Sequence, residues 1–503
     1  MKYLSKNKKK IITLIPLSLI IIIIILIFIT SCQKTENIND NNDGRIRIDE
    51  NANIDANGPD VPEYAVDYVS GERSMIPDGI EDEDMDGMDV RICVRSNWYK
   101  EELFIEEETG DPVEDAIYLR NKKIEERFNV NLNMVLADTP AQTGLKNAQA
   151  GLSDYELIAD HMLAMGSASL QKPFFNWLEI PTIDLSKPWF PSDILREMTV
   201  NNLLYVLAGD YCHTHVYLTI CMFFNKKLVQ DYAIEDPYKM TLDGKWTLDK
   251  LSEITKDLYN DLNGSGTADM DDFYGFTSNY HGSVIAYEYS SGMRIMNKTA
   301  NSIEYALPNE KTYANFQKIY DLFNQRGTYA GTWELSEDLF QRNQAVFMNL
   351  YLSFAKTLRD SENDFGIIPY PKFDEAQEKY HTVVNAAATL LAIPITAREP
   401  DKIGKIVNAL NAESWKTVVP QYYDIGMKVK FARDDESVKT MDMLLDGRVY
   451  DLARVYDDND NGYVYYLQAL MSKNNSDIAS WFDKQQGKAE KHIATINKVF
   501  FEP

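Results

Sequence analysis

An α/β fold with crossover connections is predicted by three features of the chain. Short apolar or alternating runs, suited to strands, take turns with amphipathic helical stretches. The order at the start of the body is strand, helix, strand, helix, strand, and no internal repeat interrupts it. Of the 503 residues, 45% are hydrophobic, which allows two sizeable cores once the chain ends are discounted.

"MDVRICVRSNW" opens the body with alternation over Val90–Val94, as a strand requires. "PVEDAIYLRNKKIEERF" predicts a helix with Val113, Ile117, Leu119 and Ile124 on one face. "NVNLNMVL" alternates Val130, Leu132 and Met134; "GLKNAQAG" is helical and "YELIAD" a short buried strand. "VYLTICMFFNKKLVQDY" runs from strand into helix. In "KWTLDKLSEITKDLYND" Thr247 is placed to N-cap and Trp246 to staple against Leu251, with Leu248, Leu251, Ile254 and Leu258 as the stripe. Later, "YANFQKIYDLFNQ" and "EPDKIGKIVNALNAESW" read as helices, and "DFGIIPYP" and "TLLAIPI" as buried strands. "QAVFMNLYLSFAKTLRD" reads as strand, loop and helix.

The ends and the charge say where the body belongs. "MKYLSKNKKK" is basic, and the apolar run after it ends at "ITSC", Ile29 to Cys32. That order is a secretory signal's, and "ITSC" resembles a bacterial lipobox in which Cys32 is acylated; an uncleaved transmembrane anchor is the other reading. Either puts the body on the extracellular face of a membrane. Residues 33–87 are rich in Asn, Asp and Glu and poor in large apolar groups, which predicts a flexible acidic stalk. The net charge of −26 repels phosphate backbones, so nucleic acid is not an expected partner.

After Cys32 the cysteines are Cys93, Cys212 and Cys221, with no CxxC pair. Cys212 and Cys221 are either a pair or two buried thiols. "CHTH" sets His213 and His215 on one face without an evident third ligand. Trp177 and Trp189 read as packing residues.

"DLNGSGTADMDD" has the spacing of a twelve-residue calcium loop. Oxygen-bearing groups fall at Asp261, Asn263, Ser265, Thr267, Asp269 and Asp272, and Gly266 stands at the sharp turn. Ser265 replaces a carboxylate, and Asp272, or Asp271 beside it, a bidentate Glu. The alternative is a Gly/Asn/Asp-rich turn that needs no ion. No second helix follows, so a structural Ca2+ is expected rather than a sensor.

Taken together, "RNKKIEERFNVNL", "GLSDYELIAD", "ICMFFNKKLVQDY", "GKWTLDKLSEITKDL" with "DLNGSGTADMDDFYGF", "QAVFMNLYLSF" and "DFGIIPYPK" resemble the solute-binding proteins of bacterial carbohydrate ABC importers. That is the class that includes maltose-binding protein, and the resemblance covers nearly everything after residue 88. It implies a periplasmic-binding-protein-like fold of two α/β lobes closing a cleft over a sugar. Lobe one would be 88–222 plus 392–440, and lobe two 223–391 plus 441–503. It implies a monomer, bound to the membrane by its lipid anchor, that hands a carbohydrate to permease subunits. It also places the calcium loop away from the cleft.

Sugar contacts follow from the same resemblance and from strand ends. Trp98 follows the first strand; Asp160 ends "YELIAD" at a family sugar-contact position, with His161 beside it. Asp210 and Tyr211 precede the first crossing. Asn349 matches the family's strand-to-loop segment, where the usual Gly and Trp are absent and Tyr351 is the candidate platform. Trp333 and Trp415 are further candidate aromatics. A surface adhesin or a glycan-processing lipoprotein is the rival reading, although no GxSxG, HExxH or phosphate-cradling loop occurs in the sequence.

Overall fold

In a computed structural model, residues 73, 75–97, 101–358, 364–421, 435–457 and 462–502 are described. All of them fall within one compact unit, Ile54–Pro503; the signal segment and Cys32 lie outside the described residues. Among the described residues no helix is long and apolar enough to cross a membrane.

Among the described residues fourteen strands follow in chain order. They are β1 (Met88–Arg95), β2 (Val130–Ala137), β3 (Leu157–His161), β4 (Ile220–Asn225), β5 (Tyr259–Asn260), β6 (Phe273–Asn279) and β7 (Met296–Lys298). Then come β8 (Ile303–Tyr305), β9 (Thr328–Gly331), β10 (Ala345–Tyr351), β11 (Phe365–Ile368), β12 (Thr382–Val383), β13 (Thr389–Ala392) and β14 (Arg448–Val449). Of the two larger sheets, one has the order β13-β3-β1-β2 and the second β11-β4-β10-β6-β5, with β9 beside β6; β12 pairs with β14 and β7 with β8. The inner strands β1, β3, β4, β6, β10, β11 and β13 are largely buried, as strands covered on both faces are, whereas β2 alternates buried and exposed positions at its sheet's edge.

Helix α1 (Pro112–Phe128) shows how local chemistry sets an element. Asp111 accepts from Val113 N at 3.0 Å, Pro112 occupies the first turn, and Asn129 closes the helix with φ 49°. Val113, Ile117, Ile124 and Phe128 are buried as the spacing demands, but Leu119 is 54% exposed. Its expected place in the stripe goes to Arg120 and Asn121, whose polar ends bond the carbonyl of Leu103. The helix α2 (Pro140–Gln149) and the helix α3 (Met162–Ser169) complete the first crossovers.

Two expectations are corrected here. The stalk does not extend to residue 87: Met85 is buried, Ile76 and Ile80 pack on the core, and Arg127 binds both Asp78 and Asp82. The cause is charge pairing: Arg127 of α1 meets Asp78 and Asp82, and Lys405 meets Glu83. The lobe boundaries also move. Residues 220–222 pair with β10 in the second sheet, and residues 389–391 pair with β3 in the first. A buried apolar run carries no mark of which sheet it will join; only its hydrogen-bond partner decides.

Candidate ligand-binding site

Strand direction decides which sheet edges meet. β1, β2 and β3 run parallel, so Arg95, Ala137 and His161 share one edge, and antiparallel β13 begins there with Thr389 opposite His161. β6, β9 and β10 also run parallel and end at Asn279, Gly331 and Tyr351; antiparallel β4 begins there with Ile220 opposite Tyr351. β4 is entered from the first body and β13 from the second. These two crossings bond each other, Asn385 N to Leu218 O at 3.0 Å and Thr219 to Val384 as a bridge. The carboxyl ends of both sheets therefore face one another across the crossings, the place where open α/β sheets take ligands.

A cavity of about 100 Å³ lies in this seam. The first body lines it with Glu101, Glu102 and Asp111, the second with Ser353 and Lys356, and the crossing segment with Tyr217. Lys356 Nζ stands 2.7 Å from Asp111 Oδ2 and so ties the two bodies together. Burial pushes the Asp111 carboxyl up, but the Lys356 bond and charge outweigh it and hold the group below its ordinary range. At the floor Glu102 is buried, accepting from Thr214 Oγ1 at 2.6 Å and from the Thr389 hydroxyl. Burial raises its pKa despite the neighbouring Arg95. This is an arrangement of fixed acceptors and a half-exposed cation, suited to hydroxyl-bearing ligands.

The expected contacts divide into three groups. Tyr351, His161 and Trp333 reach the facing edges. Tyr351 ends β10, is half-buried, and its hydroxyl accepts from Asn385 Nδ2 at 2.7 Å; Gly282 is needed beside it because a Cβ there would strike that hydroxyl. His161 ends β3, and its Nδ1 accepts from Ala164 N at 3.3 Å to cap α3. Burial lowers its pKa against the pull of Asp160. Trp333 follows β9 and is 48% exposed, an open aromatic face at the rim.

Asp160 is at the edge but turned inward. Its Oδ2 accepts from Ala141 N at 3.0 Å and its Oδ1 from His161 N at 2.7 Å, so it holds the start of α2 rather than a ligand. Asp210, Tyr211, Asn349 and Trp415 are corrected to interior roles. Asp210 lines a small cavity with Arg448, and burial raises its pKa to about 6. Tyr211 lies 4.6 Å beneath the Arg120 guanidinium, Asn349 donates to Tyr287 Oη at 3.1 Å, and Trp415 packs on Trp189 with Arg73 4.7 Å from its ring. Trp98 lies outside the described residues.

Sequence reasoning missed Asp111, Lys356 and Asn385. Asn385 is the one that carried a signal, as a polar residue opening the second apolar crossing. His215 joins Tyr450 Oη to Thr389 O inside the fold, while Cys93, Cys212 and Cys221 are separate buried thiols.

The acidic loop lies before β6 and takes no part in this seam. Asn263, Ser265 and Asp269 hydrogen-bond one another, and Ser265 Oγ donates to Thr267 O at 2.8 Å, so four of the six expected oxygen groups converge. Asp261 instead accepts from Gly264 N, Ser265 N and Gly266 N. Asp272 is buried and accepts from Tyr259 Oη at 2.8 Å and Leu262 N at 3.1 Å. Among the described residues, no three His, Cys, Asp or Glu side chains gather as a metal-binding group.

No family model matches the chain, and no curated protein matches it by sequence. Solved structures do. An ABC substrate-binding protein of Listeria monocytogenes in complex with cycloalternan is 11% identical with a TM-score of 0.51, over 82% of this chain and 99% of that one. The GacH receptor of Streptomyces glaucescens, solved unliganded and with acarbose, is 12% identical with a TM-score of 0.50, over 82% and 98%. The facing sheet edges, the paired crossings and these likenesses give the chain the two-lobed, periplasmic-binding-protein-like fold of ABC substrate-binding proteins.

Proposed function

We propose that this chain is an extracellular solute-binding protein, anchored through acylated Cys32, that captures an oligosaccharide between its two lobes and delivers it to an ABC importer without altering it. The observation that carries the reading is the seam itself: two sheet edges with hydroxyl-binding groups from both bodies and an exposed Trp333 at the rim. The ligands named for the structural neighbours, cycloalternan and acarbose, agree with a sugar. Ligand pockets usually span roughly 300–1,000 Å³. A cavity of about 100 Å³ therefore takes a sugar ring only if the lobes part, which breaks the Lys356–Asp111 pair.

The test is thermal unfolding of the full chain against a panel of oligosaccharides. A ligand that binds only the native state adds RT ln(1 + [L]/Kd), about 2.7 kcal/mol at a hundredfold excess over Kd. An upward shift with one sugar, recovered unchanged by chromatography, is expected. No shift across the panel, with binding to polymer or cell surface instead, turns the reading to an adhesin. The loop Asp261–Asp272 is proposed as a structural Ca2+ brace on the strength of the convergence of Asn263, Ser265, Thr267 and Asp269.

A further inference from the structure

The segment from Asp451 to Tyr456 enters the same seam from a third direction. Its short helix α4 (Leu452–Val455) packs on α3, so closely that a Cβ on Gly166 would collide with the Val455 carbonyl. That contact fixes Arg454 to the first body. Its guanidinium reaches across to the second, 5.9 Å from the ring of Tyr289 in the helix α5 (Gly282–Ser290). It is also near enough to the Tyr351 hydroxyl to act on its ionisation.

Arg454 is 4% exposed, yet neither its Nε nor its Nη1 finds a hydrogen-bond partner among the described residues. Glu288 Oε1 and the Tyr289 hydroxyl, 1% and 0% exposed by residue, are in the same position. Native interiors seldom leave such groups unmatched, because each one costs the desolvation of a buried polar atom. Here donors on one body and acceptors on the other lie within electrostatic reach of each other where the two bodies meet.

We infer that Arg454 and Glu288 form a second contact set in the cleft that grips hydroxyl groups of a neutral sugar. A sugar hydroxyl accepts from the guanidinium while donating to the carboxyl, matching both groups with one ligand atom. Burial, reinforced by Asp451, drives the Glu288 carboxyl towards its neutral form, which suits an uncharged partner. A uronate in the same place would add a carboxylate charge beside that of Asp451, which already acts on Glu288. The inference rests on the carbohydrate reading above and names the contact and the ligand class within it.

Isothermal titration of the full chain with neutral trisaccharides (maltotriose, cellotriose, xylotriose) and with trigalacturonate tests it. The expected result is that the wild type binds a neutral sugar. Arg454→Gln and Glu288→Gln should each weaken that binding tenfold or more, while Arg454→Lys weakens it less and unfolding temperatures stay near wild type. If Arg454→Gln is unfolded, Arg454→Lys and Glu288→Gln decide between the outcomes. Wild-type binding with unchanged affinity in the folded variants overturns this inference alone. Preference for trigalacturonate overturns its neutral-sugar class. A wild type that binds no saccharide overturns the carbohydrate reading, and this inference with it.

Discussion

The chain has two acidic runs, residues 78–86 and 261–272, and they are stabilised in opposite ways. In the first, carboxylates meet cations from distant elements: Asp78 and Asp82 bind Arg127 of α1, and Glu83 binds Lys405. In the second, carboxylates meet their own loop: Asp261 takes three backbone N–H groups and Asp272 takes Leu262 N and Asp269 N. A run of like charge is therefore not one kind of object. The first is docked by tertiary contacts, while the second is held mainly by its own bonds, with Arg342 reaching Asp271 and the Met270 carbonyl from outside.

Substitutions break this comparison in order of size. Trp415→Ala removes the buried ring under Arg73, where the residues preceding the first run are held; about 3–5 kcal/mol of stability is expected to be lost in urea unfolding. Arg127→Ala undoes two carboxylate partners at once and should cost roughly 1–3 kcal/mol.

The same variant should respond to acid differently. Burial raises the Asp78 carboxyl and the Arg127 bond outweighs it, leaving the folded pKa below the ordinary value. Stability from a depressed carboxylate is present above the unfolded pKa of about 3.9 and lost as pH falls through the folded value. Arg127→Ala should lose that contribution, so acid unfolding begins at a higher pH; an unchanged acid limb would show that Asp78 draws little from the pair.

Within the second run, Asp272→Asn should cost about 1–3 kcal/mol, because a buried acceptor of three donors is replaced, whereas Asp271→Asn on the exposed side should stay within about 0.5 kcal/mol. The smallest expected effect is that of Ca2+. Millimolar calcium should raise the wild-type unfolding temperature by a few degrees and do nothing to Asp269→Ala, whose carboxylate sits at the convergence. An equal shift in both, or none in either, would leave the loop as a turn held by its own bonds.

Much of the architecture was legible in the residues. Helix α1 announces itself through the spacing of Val113, Ile117 and Ile124, and the helix Leu248–Thr255 through its cap: Thr247 accepts the N–H group its position implies. The site was legible only where a strand end carries it, as at His161 and Tyr351. Asp160 has the right position and the wrong orientation, because the start of α2 needed an acceptor. Trp415 and Tyr211 were indistinguishable in sequence from platforms, since an aromatic ring serves core and sugar alike.

By itself the sequence determined the alternation of strands and helices and the turn chemistry of the loop. These rest on local forces: periodic burial, capping and backbone freedom. Only the tertiary structure decided that β13 crosses back to the first sheet and that residues 75–87 dock on α1. It also decided that Asp111 meets Lys356 and that Arg454 lies near the ring of Tyr289. Each of these depends on partners far apart in the chain, and no local pattern records which distant group a strand edge or a charge will find.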